Sequence, residues 1–524
     1  MPRVLVTEQI APSGIEALQA AGHEVDVQSG LSPEQLLEAV RGAAALIIRS
    51  ATLVTEEVLD VGTDLVVVGR AGIGLDNVDV AAATARGIMV VNAPQSNVLS
   101  AAEQAMALLL AQARNLPQAH ASLKSGKWER SKFEGVELAG KTLGVIGLGR
   151  VGALVAQRAL AFGMRLVAYD PFVSEERARH MGVELLGLEE LMELSDFVSV
   201  HLPKNASTMG LIDAKLLVHA KVGQRIINTA RGGIIVETDL VEAITSGHIQ
   251  GAGLDVFATE PCTDSPLFGL DSVVVAPHLG ASTKEAQEKA GVTIAEQVQL
   301  ALAGAFVPFA VNVAAEEVSD VARPFMALAE QLGSFLSCLH DGGPPREIEV
   351  HFQGELAGAG TSILTLCVLK GVCSVHSDQS VSYVNAPQLA ESFGIIWAET
   401  ATIVSPEFVS VITVRSPTHS VSGTIATVGA RTEARIVSVD GHTVDIPPAA
   451  NMLVVRNDDR PGMIGLVGTE LGRADVSICS MAVGPSPATG TALMVLSCDR
   501  TPSDDVLARL REGDGIHELY RVEL

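Results

Sequence analysis

The sequence predicts an α/β protein with two doubly wound parallel-sheet lobes, followed by an α+β region and a ferredoxin-like unit. Three observations predict it. Residues 1–95 alternate short apolar runs with amphipathic stretches: RVLVTEQ then GIEALQAAG, EVDVQ then SPEQLLEAVRG, ALIIRSA then TEEVLDVG, LVVVGRAG then VDVAAATARG, and IMVVNAP. Strand–helix alternation at this spacing builds βαβ units and a parallel sheet. A second series opens at TLGVIGLG and runs through RLVAYDP, FVSVHLP, RIINTARG, GAGLDVFA and SVVVAPHLG. Residues 451–523 then read strand, helix, strand, strand, helix, strand, the ferredoxin-like order.

The segments between these series follow the same logic. SAAEQAMALLLAQARNLPQAHASLKSGKW predicts a long helix with few breakers before Pro117, and TKEAQEKAGVTIAEQVQLALAG a long helix returning from the second series. After VNVAAEE the texture changes to one helix, VARPFMALAEQLGSFLSCL, and many short strand-like pieces with Gly and Ser turns. With 524 residues, of which 48% are hydrophobic and 19% charged, the chain has room for three or four cores at about 100–200 residues per domain. Its formal charge of −25 argues against nucleic acid or an anionic membrane as the main partner. An anionic ligand must instead be held locally, by arginines or helix N-termini.

MPRVLVTEQI reads as a first strand and not as a signal peptide. No apolar run approaches the ~20 residues that cross a bilayer, so a soluble cytoplasmic protein is expected. Cys262, Cys338, Cys367, Cys373, Cys479 and Cys498 are scattered without CxxC spacing, which fits reduced thiols and gives no metal-ligand cluster.

GLGRVG, residues 147–152, sits between the strand TLGVI and the helix ALVAQRALAFG. In that setting Gly147 permits the tight turn, Gly149 lets backbone approach a pyrophosphate, and Gly152 allows close helix–strand packing. Asp170 ends the next strand, where a carboxylate accepts hydrogen bonds from ribose hydroxyls and repels a 2′-phosphate, favouring NAD over NADP. Three further strand ends carry chemistry: Arg231 in NTARGG, Glu260 in VFATEP and His278 in APHLG. An arginine clamps a carboxylate bidentately. A histidine exchanges a proton near neutral pH, and a carboxylate orients it. Taken singly, each has a plainer reading as a surface turn, a loop or a capped strand end. Their joint placement suits reversible hydride transfer at a carbon that bears a hydroxyl beside a carboxylate.

GLGRVG with YDP, NTARGG, LDVFATEP and PHLGAST resemble the signature segments of the D-isomer-specific 2-hydroxyacid dehydrogenases. Within that family ALIIRSAT, VVVGRAGIGLDNVDVAAATARGI, NVLSAAE, GKWERSKFEG and PHLGASTKEAQ are similar to the long-form branch that oxidises 3-phospho-D-glycerate to 3-phosphohydroxypyruvate, the first step of phosphorylated L-serine synthesis. The likeness covers the whole chain. It implies a substrate-binding lobe at 1–97 that resumes at 282–312, an NAD-binding lobe inserted at 98–281, an intervening domain at 313–447 and an ACT regulatory domain at 448–524.

The resemblance also implies roles. Arg231 would bind and activate substrate, His278 would be the acid–base and Glu260 its partner. NAD would be held by Gly147, Gly149, Arg150, Val151, Gly152, Asp170, Leu202, Thr229, Ala230, Asp255, Gly280 and Ala281. Arg49 and Arg70, each ending a strand of the first series, fall where that branch gathers the substrate phosphate, with Ser50, Ala71, Gly72, Ile73 and Asn97 assisting. Arg130 and Lys132 would reach a neighbouring subunit's cleft and Trp128 would anchor that interface, within a homo-oligomer expected to be a tetramer. L-serine as effector would meet Asn457, Asp459 and Ser477. In the intervening domain a few cations, such as Arg435 and His442, are open to an anion, and a purely structural or assembly role is the alternative. Two other readings remain open: a different D-2-hydroxyacid dehydrogenase, and a non-enzymatic NAD-sensing scaffold.

Overall fold

In the computed structural model, which describes residues 1–313, 319–340, 342–378, 381–428, 431–486 and 491–524, the two alternating series become two parallel sheets. The first contains Arg3–Val6 (β1), Glu24–Val27 (β2), Ala45–Ile48 (β3), Val67–Arg70 (β4) and Met89–Val91 (β5), in the order β2-β1-β3-β4-β5. The second contains Thr142–Ile146 (β6), Arg165–Tyr169 (β7), Glu184–Leu185 (β8), Phe197–Val200 (β9), Gln224–Asn228 (β10), Ile249–Leu254 (β11) and Val273–Val275 (β12), ordered β12-β11-β10-β9-β6-β7-β8. Strands such as Ala45–Ile48 and Thr142–Ile146 are buried throughout, as continuous apolar runs in a sheet covered on both faces should be. Each sheet reverses its winding at one point, between β1 and β3 and between β6 and β9, and ligands of such sheets lie beyond the strand ends there.

Two helices carry the chain between the lobes. Val98–Arg114 packs Ala102, Ala105, Met106 and Leu109 against the second sheet's core. Lys284–Leu302 returns and buries Ile294, Ala295 and Val298 against the first. Their starts are tied by a hydrogen bond between Ser100 Oγ and Thr283 Oγ1 at 2.7 Å. The long helix expected to run on to Trp128 is broken. It ends at Arg114, Asn115 turns left-handed (φ 48°), and a separate helix spans Leu116–Lys124. Asn is one of the few side chains that tolerates this conformation, and Pro117 sits in the new helix's first turn, where its missing N–H costs nothing.

The third sheet contains Glu347–Gly354 (β13), Ile396–Thr402 (β14), Ser410–Arg415 (β15), Ser420–Val428 (β16), Arg431–Val439 (β17) and His442–Ile446 (β18), ordered β14-β13-β15-β16-β17-β18. The fourth is antiparallel: Asn451–Asp458 (β19), Ile478–Ser486 (β20), Thr491–Cys498 (β21) and Ile516–Glu523 (β22), ordered β20-β21-β19-β22. Alternation along β19 splits its side chains between two cores. Leu453 and Val455 face the unit's own helices, whereas Met452 and Val454, with Leu493, Val495 and Val522, join a core built around the helix Met326–Cys338. β19 and β21 are therefore covered on both faces, whereas the edge strand β20 leaves Met481 and Val483 exposed. The seam is closed by His442, 6% exposed, which donates from Nδ1 to Gly484 O at 2.8 Å, and by Gly484, where a Cβ would stand 2.5 Å from Thr443 O. On the other side Val384 enters the first lobe's core and Ser382 Oγ donates to Gly87 O at 2.9 Å.

Candidate active site

The strand ends of the two parallel sheets face one cleft. At its floor the glycine turn behaves as its spacing demands. Gly147 is left-handed (φ 96°), and a Cβ at Gly152 would lie 2.0 Å from Gly147 O, so the helix Arg150–Ala161 starts hard against the turn. A Cβ at Gly149 would meet nothing within 4 Å, which leaves the amide end of that helix open to an anion. Asp170, at the end of β7, accepts from Leu148 N at 2.8 Å and from Phe172 N at 2.9 Å, bracing the turn from behind. Leu202 packs below, near the position of a Cβ on Gly147. Val151 is partly buried in the core beside it, and Arg150 Nη1 crosses to Pro94 O at 3.4 Å.

The loop after β10 is shaped by Asn228, whose amide donates to Arg231 O at 3.0 Å and whose carbonyl accepts from Ala230 N at 3.0 Å. Gly232 lets this loop touch its neighbour, since a Cβ there would overlap Phe257 O at 1.7 Å. The result projects Arg231 into the cleft. His278 follows β12 in a left-handed conformation (φ 54°). It is held there by Asp255, which is fully buried: Asp255 O accepts His278 N at 2.8 Å, and the carboxylate accepts from Leu279 N and Gly280 N at 2.8 Å each. Burial pushes the Asp255 carboxyl up, although these N–H groups work against it. Asp255 is thus the framework of the histidine turn.

His278 Nδ1 lies 2.6 Å from Glu260 Oε2, while Glu260 Oε1 accepts from Phe257 N at 2.9 Å. Burial alone would raise Glu260, but the His278 contact, the Phe257 N–H and the charges of His278 and Arg231 hold it below the usual carboxylate range. The pair fixes the imidazole by Nδ1 and leaves Nε2 without a partner among the described residues, on a side chain 44% exposed. A second histidine near the glycine turn, His201, is pushed down to about 4 by burial and bonds Ser199 Oγ at 2.8 Å, so it stays neutral.

The opposite wall belongs to the first sheet. Glu8, just past β1, accepts the backbone N–H groups of Arg49, Ala51 and Thr52 at 2.8–3.2 Å, and these bonds hold its carboxyl low against the effect of burial. That carboxylate forms the turn that presents Arg49 and the exposed Ser50. Arg70 bends over Gly72, where a Cβ would lie 1.8 Å from its Nη1. Burial, and then the Arg231 guanidinium nearby, lower Arg70 to about 10. Arg49, Ala71, Gly72, Asn97 and Ala281 line one pocket at the base of this wall. Ile73 is fixed by Asn92, which donates to its carbonyl at 2.7 Å. Arg70 Nε, Asn97 Oδ1 and Thr229 Oγ1 are buried without hydrogen-bond partners among the described residues. Three such atoms around one cleft are what a polar ligand would satisfy.

Other expected positions fall elsewhere. Arg130 and Lys132 are exposed on the short helix Arg130–Phe133, and neighbouring Trp128 is 81% exposed. In the fourth sheet Asn457 is buried, with Oδ1 unpartnered, while Asp459 and Ser477 are exposed, and no hydrogen bond joins the three among the described residues. It is Asp458 that makes contacts there, with His517 at 2.8 Å and Arg460 at 3.4 Å. Two of the intervening-domain cations are already engaged: Arg435 pairs with Asp445 at 2.7 Å, and His442 is closed into the seam. Among the described residues no group of three His, Cys, Asp or Glu side chains is placed to hold a metal. Among the described residues no helix is long and apolar enough to cross a membrane.

Residues 106–280 match the family model of the D-isomer specific 2-hydroxyacid dehydrogenase NAD binding domain, and residues 321–440 that of the D-3-phosphoglycerate dehydrogenase intervening domain. The chain is 46% identical to the D-3-phosphoglycerate dehydrogenase of Mycobacterium tuberculosis over 531 aligned residues, covering 100% of this chain and 99% of the relative. This chain belongs to the D-3-phosphoglycerate dehydrogenase family. The enzymes of that name from Methanocaldococcus jannaschii (40%) and Bacillus subtilis (37%) also align over 100% of both chains. Among solved structures, the TT0316 protein from Thermus thermophilus is 36% identical with a TM-score of 0.56, and the apo-structure of D-lactate dehydrogenase from Escherichia coli 26% identical with a TM-score of 0.54. Each covers 59% of this chain, and 99% and 100% of its own. For a D-3-phosphoglycerate dehydrogenase the cofactor is NAD, and the open helix end at Gly149 together with the orphaned Thr229 hydroxyl fits that group.

Sequence reading missed Glu8, Asn228, Asp76, which accepts from Arg231 Nε, and Asn77, which donates to the carbonyls of Arg49 and Thr52. Glu8 carried a usable signal, because it follows β1 just as Arg49 follows β3 and Arg70 ends β4. The others act through loop geometry, which no spacing encodes.

Proposed function

We propose that this chain oxidises 3-phospho-D-glycerate to 3-phosphohydroxypyruvate with NAD, in the cleft between its first two sheets. One observation carries the reading: a His278–Glu260 pair with a free imidazole nitrogen stands on the same cleft as Arg231, opposite Arg49 and Arg70. NAD, held by the turn Gly147–Gly152, Asp170 and the loop Thr229–Ala230, supplies the acceptor for the C2 hydride. Arg231 holds the substrate carboxylate and fixes C2 in place. Arg49 and Arg70 hold the phosphate, and the pocket backbone at Ala71, Gly72 and Ile73 assists. His278 takes the C2 hydroxyl proton at Nε2, since Nδ1 is committed to Glu260. The positive charge that forms on the imidazole faces a carboxylate kept ionised.

The assay is NADH absorbance. The reverse direction, with 3-phosphohydroxypyruvate, is the sensitive one, because equilibrium opposes oxidation. NADH consumption with this substrate, and little with non-phosphorylated 2-oxo acids, is expected. Equal rates on both would favour a different D-2-hydroxyacid dehydrogenase. We further assign residues 448–524 as an ACT unit, L-serine as its effector near Asn457, Asp459 and Ser477, a homotetramer in which Trp128, Arg130 and Lys132 meet a second copy, and a cytoplasmic location. Activity unchanged by millimolar serine would reject the effector assignment.

A further inference from the structure

Arg231 leaves the inserted lobe and is met by a carboxylate from the other lobe. Its Nε donates to Asp76 Oδ2 at 3.1 Å and its Nη1 to Ala230 O at 2.7 Å. Its Nη2 lies over Gly74, where a Cβ would stand 2.2 Å away. With Nε and Nη1 engaged, Nη2 is left without an acceptor among the described residues.

Asp76 sits on a braced loop. Asn92 pins the carbonyl of Ile73 at 2.7 Å, and Asn77 donates to Arg49 O at 2.8 Å and Thr52 O at 2.7 Å. The same loop therefore connects the guanidinium of one lobe to the arginine turn of the other. The pair is also partly exposed, with Arg231 at 27% and Asp76 at 56%. A pair this wet adds little to stability, so its effect must lie in orientation. Asp76 further offsets the repulsion between Arg231 and Arg70, which lie close enough for each charge to be felt by the other.

We propose that Asp76 is a positioning residue for Arg231. By holding Nε from across the cleft, it turns the remaining edge of the guanidinium toward the substrate carboxylate and makes that orientation depend on lobe closure. The inference rests on reading Arg231 as the carboxylate clamp.

The test compares Asp76→Ala and Asp76→Asn with wild type in three measurements: steady-state reduction of 3-phosphohydroxypyruvate, NADH affinity by fluorescence quenching, and oxalate binding to the NADH complex by calorimetry. Misplacing a binding group by an ångström costs about 10²-fold, so Asp76→Ala should lose about that much kcat/KM, shared between a raised KM and a lowered kcat. Asp76→Asn, which keeps an acceptor oxygen, should recover part of the loss. NADH affinity should hold at the wild-type value in both, and oxalate binding should weaken in the same order. Wild-type kcat/KM in Asp76→Ala, or a loss matched by lost NADH affinity, overturns the proposal. If wild type itself ignores 3-phosphohydroxypyruvate, the substrate reading fails, and the oxalate titration alone decides the role of Asp76.

Discussion

Two histidine–carboxylate pairs in this chain look alike on paper and differ in what surrounds them. His278 and Glu260 meet at 2.6 Å with side chains 44% and 34% exposed. His419 and Asp440 meet at 3.0 Å at 13% and 11%. The first leaves its second nitrogen open to a cleft. The second is enclosed: His340 stacks edge-on at 5.1 Å, Tyr520 at 5.6 Å, and Arg456 reaches Asp440 at 2.8 Å while also holding Glu518 at 2.8 Å. The contrast teaches that a carboxylate-paired imidazole is a proton carrier only where its far nitrogen has somewhere to deliver. In the enclosed case the pair joins the residue ahead of β16 to the turn between β17 and β18, and Arg456 ties that turn to β19 and, through Glu518, to β22.

The largest expected effect tests the open pair. His278→Ala should lower kcat by about 10²–10⁴-fold through lost proton transfer, whereas His419→Ala should leave kcat unchanged and lower the melting temperature. Comparable losses of kcat in both would erase the distinction. Next come the arginines facing the open pair. Hydrogen bonds to a charged group are worth about 1.5–3 kcal/mol, or ~10- to 100-fold. Arg70→Ala and Arg49→Ala should therefore raise KM for the phosphorylated substrate by that factor and spare a non-phosphorylated one. A uniform loss on both substrates would reject the phosphate assignment.

The enclosed pair should register in stability. Asp440→Asn removes the negative charge that faces both His419 and Arg456 and should cost about 2 kcal/mol in denaturant unfolding with turnover intact. The smallest effect is a pH dependence. Asp440, like Glu260, is held below its ordinary value: burial opposes the shift, but His419, the Ser420 N–H and Arg456 outweigh it. A lowered folded pKa adds stability that is complete above the ordinary carboxylate range, near pH 4, and lost as pH falls through the lowered value. Melting curves of Asp440→Asn across that acid window should be flatter than those of wild type. Glu260→Gln, at the wetter pair, should flatten them less. A variant as steep as wild type would show that the pair carries no linkage.

Much of the parallel-sheet half was legible because burial on two faces writes long apolar runs, and because function in such sheets gathers at strand ends. Arg231, Glu260 and His278 could be found by that rule alone. Asp76 and Asn228 could not: their importance comes from a loop crossing to another lobe and from an amide that bonds two residues of its own turn. The break at Asn115 is half visible, since Pro117 marks it but the left-handed residue ahead of it leaves no periodicity. The intervening sheet was least legible. Its strand order is set by pairings as distant as Glu347 with Ile396, and the engagement of Arg435 and His442 depends on neighbours that sequence does not place beside them.

The doubly covered strands of the fourth sheet bear on how the chain should be divided for expression. A fragment beginning near Ala450 would bare Met452, Val454, Leu493, Val495 and Val522 to water, and so would be a sticky product prone to precipitate. A fragment that starts ahead of Met326 carries its own lid for that face, and is the piece worth cloning.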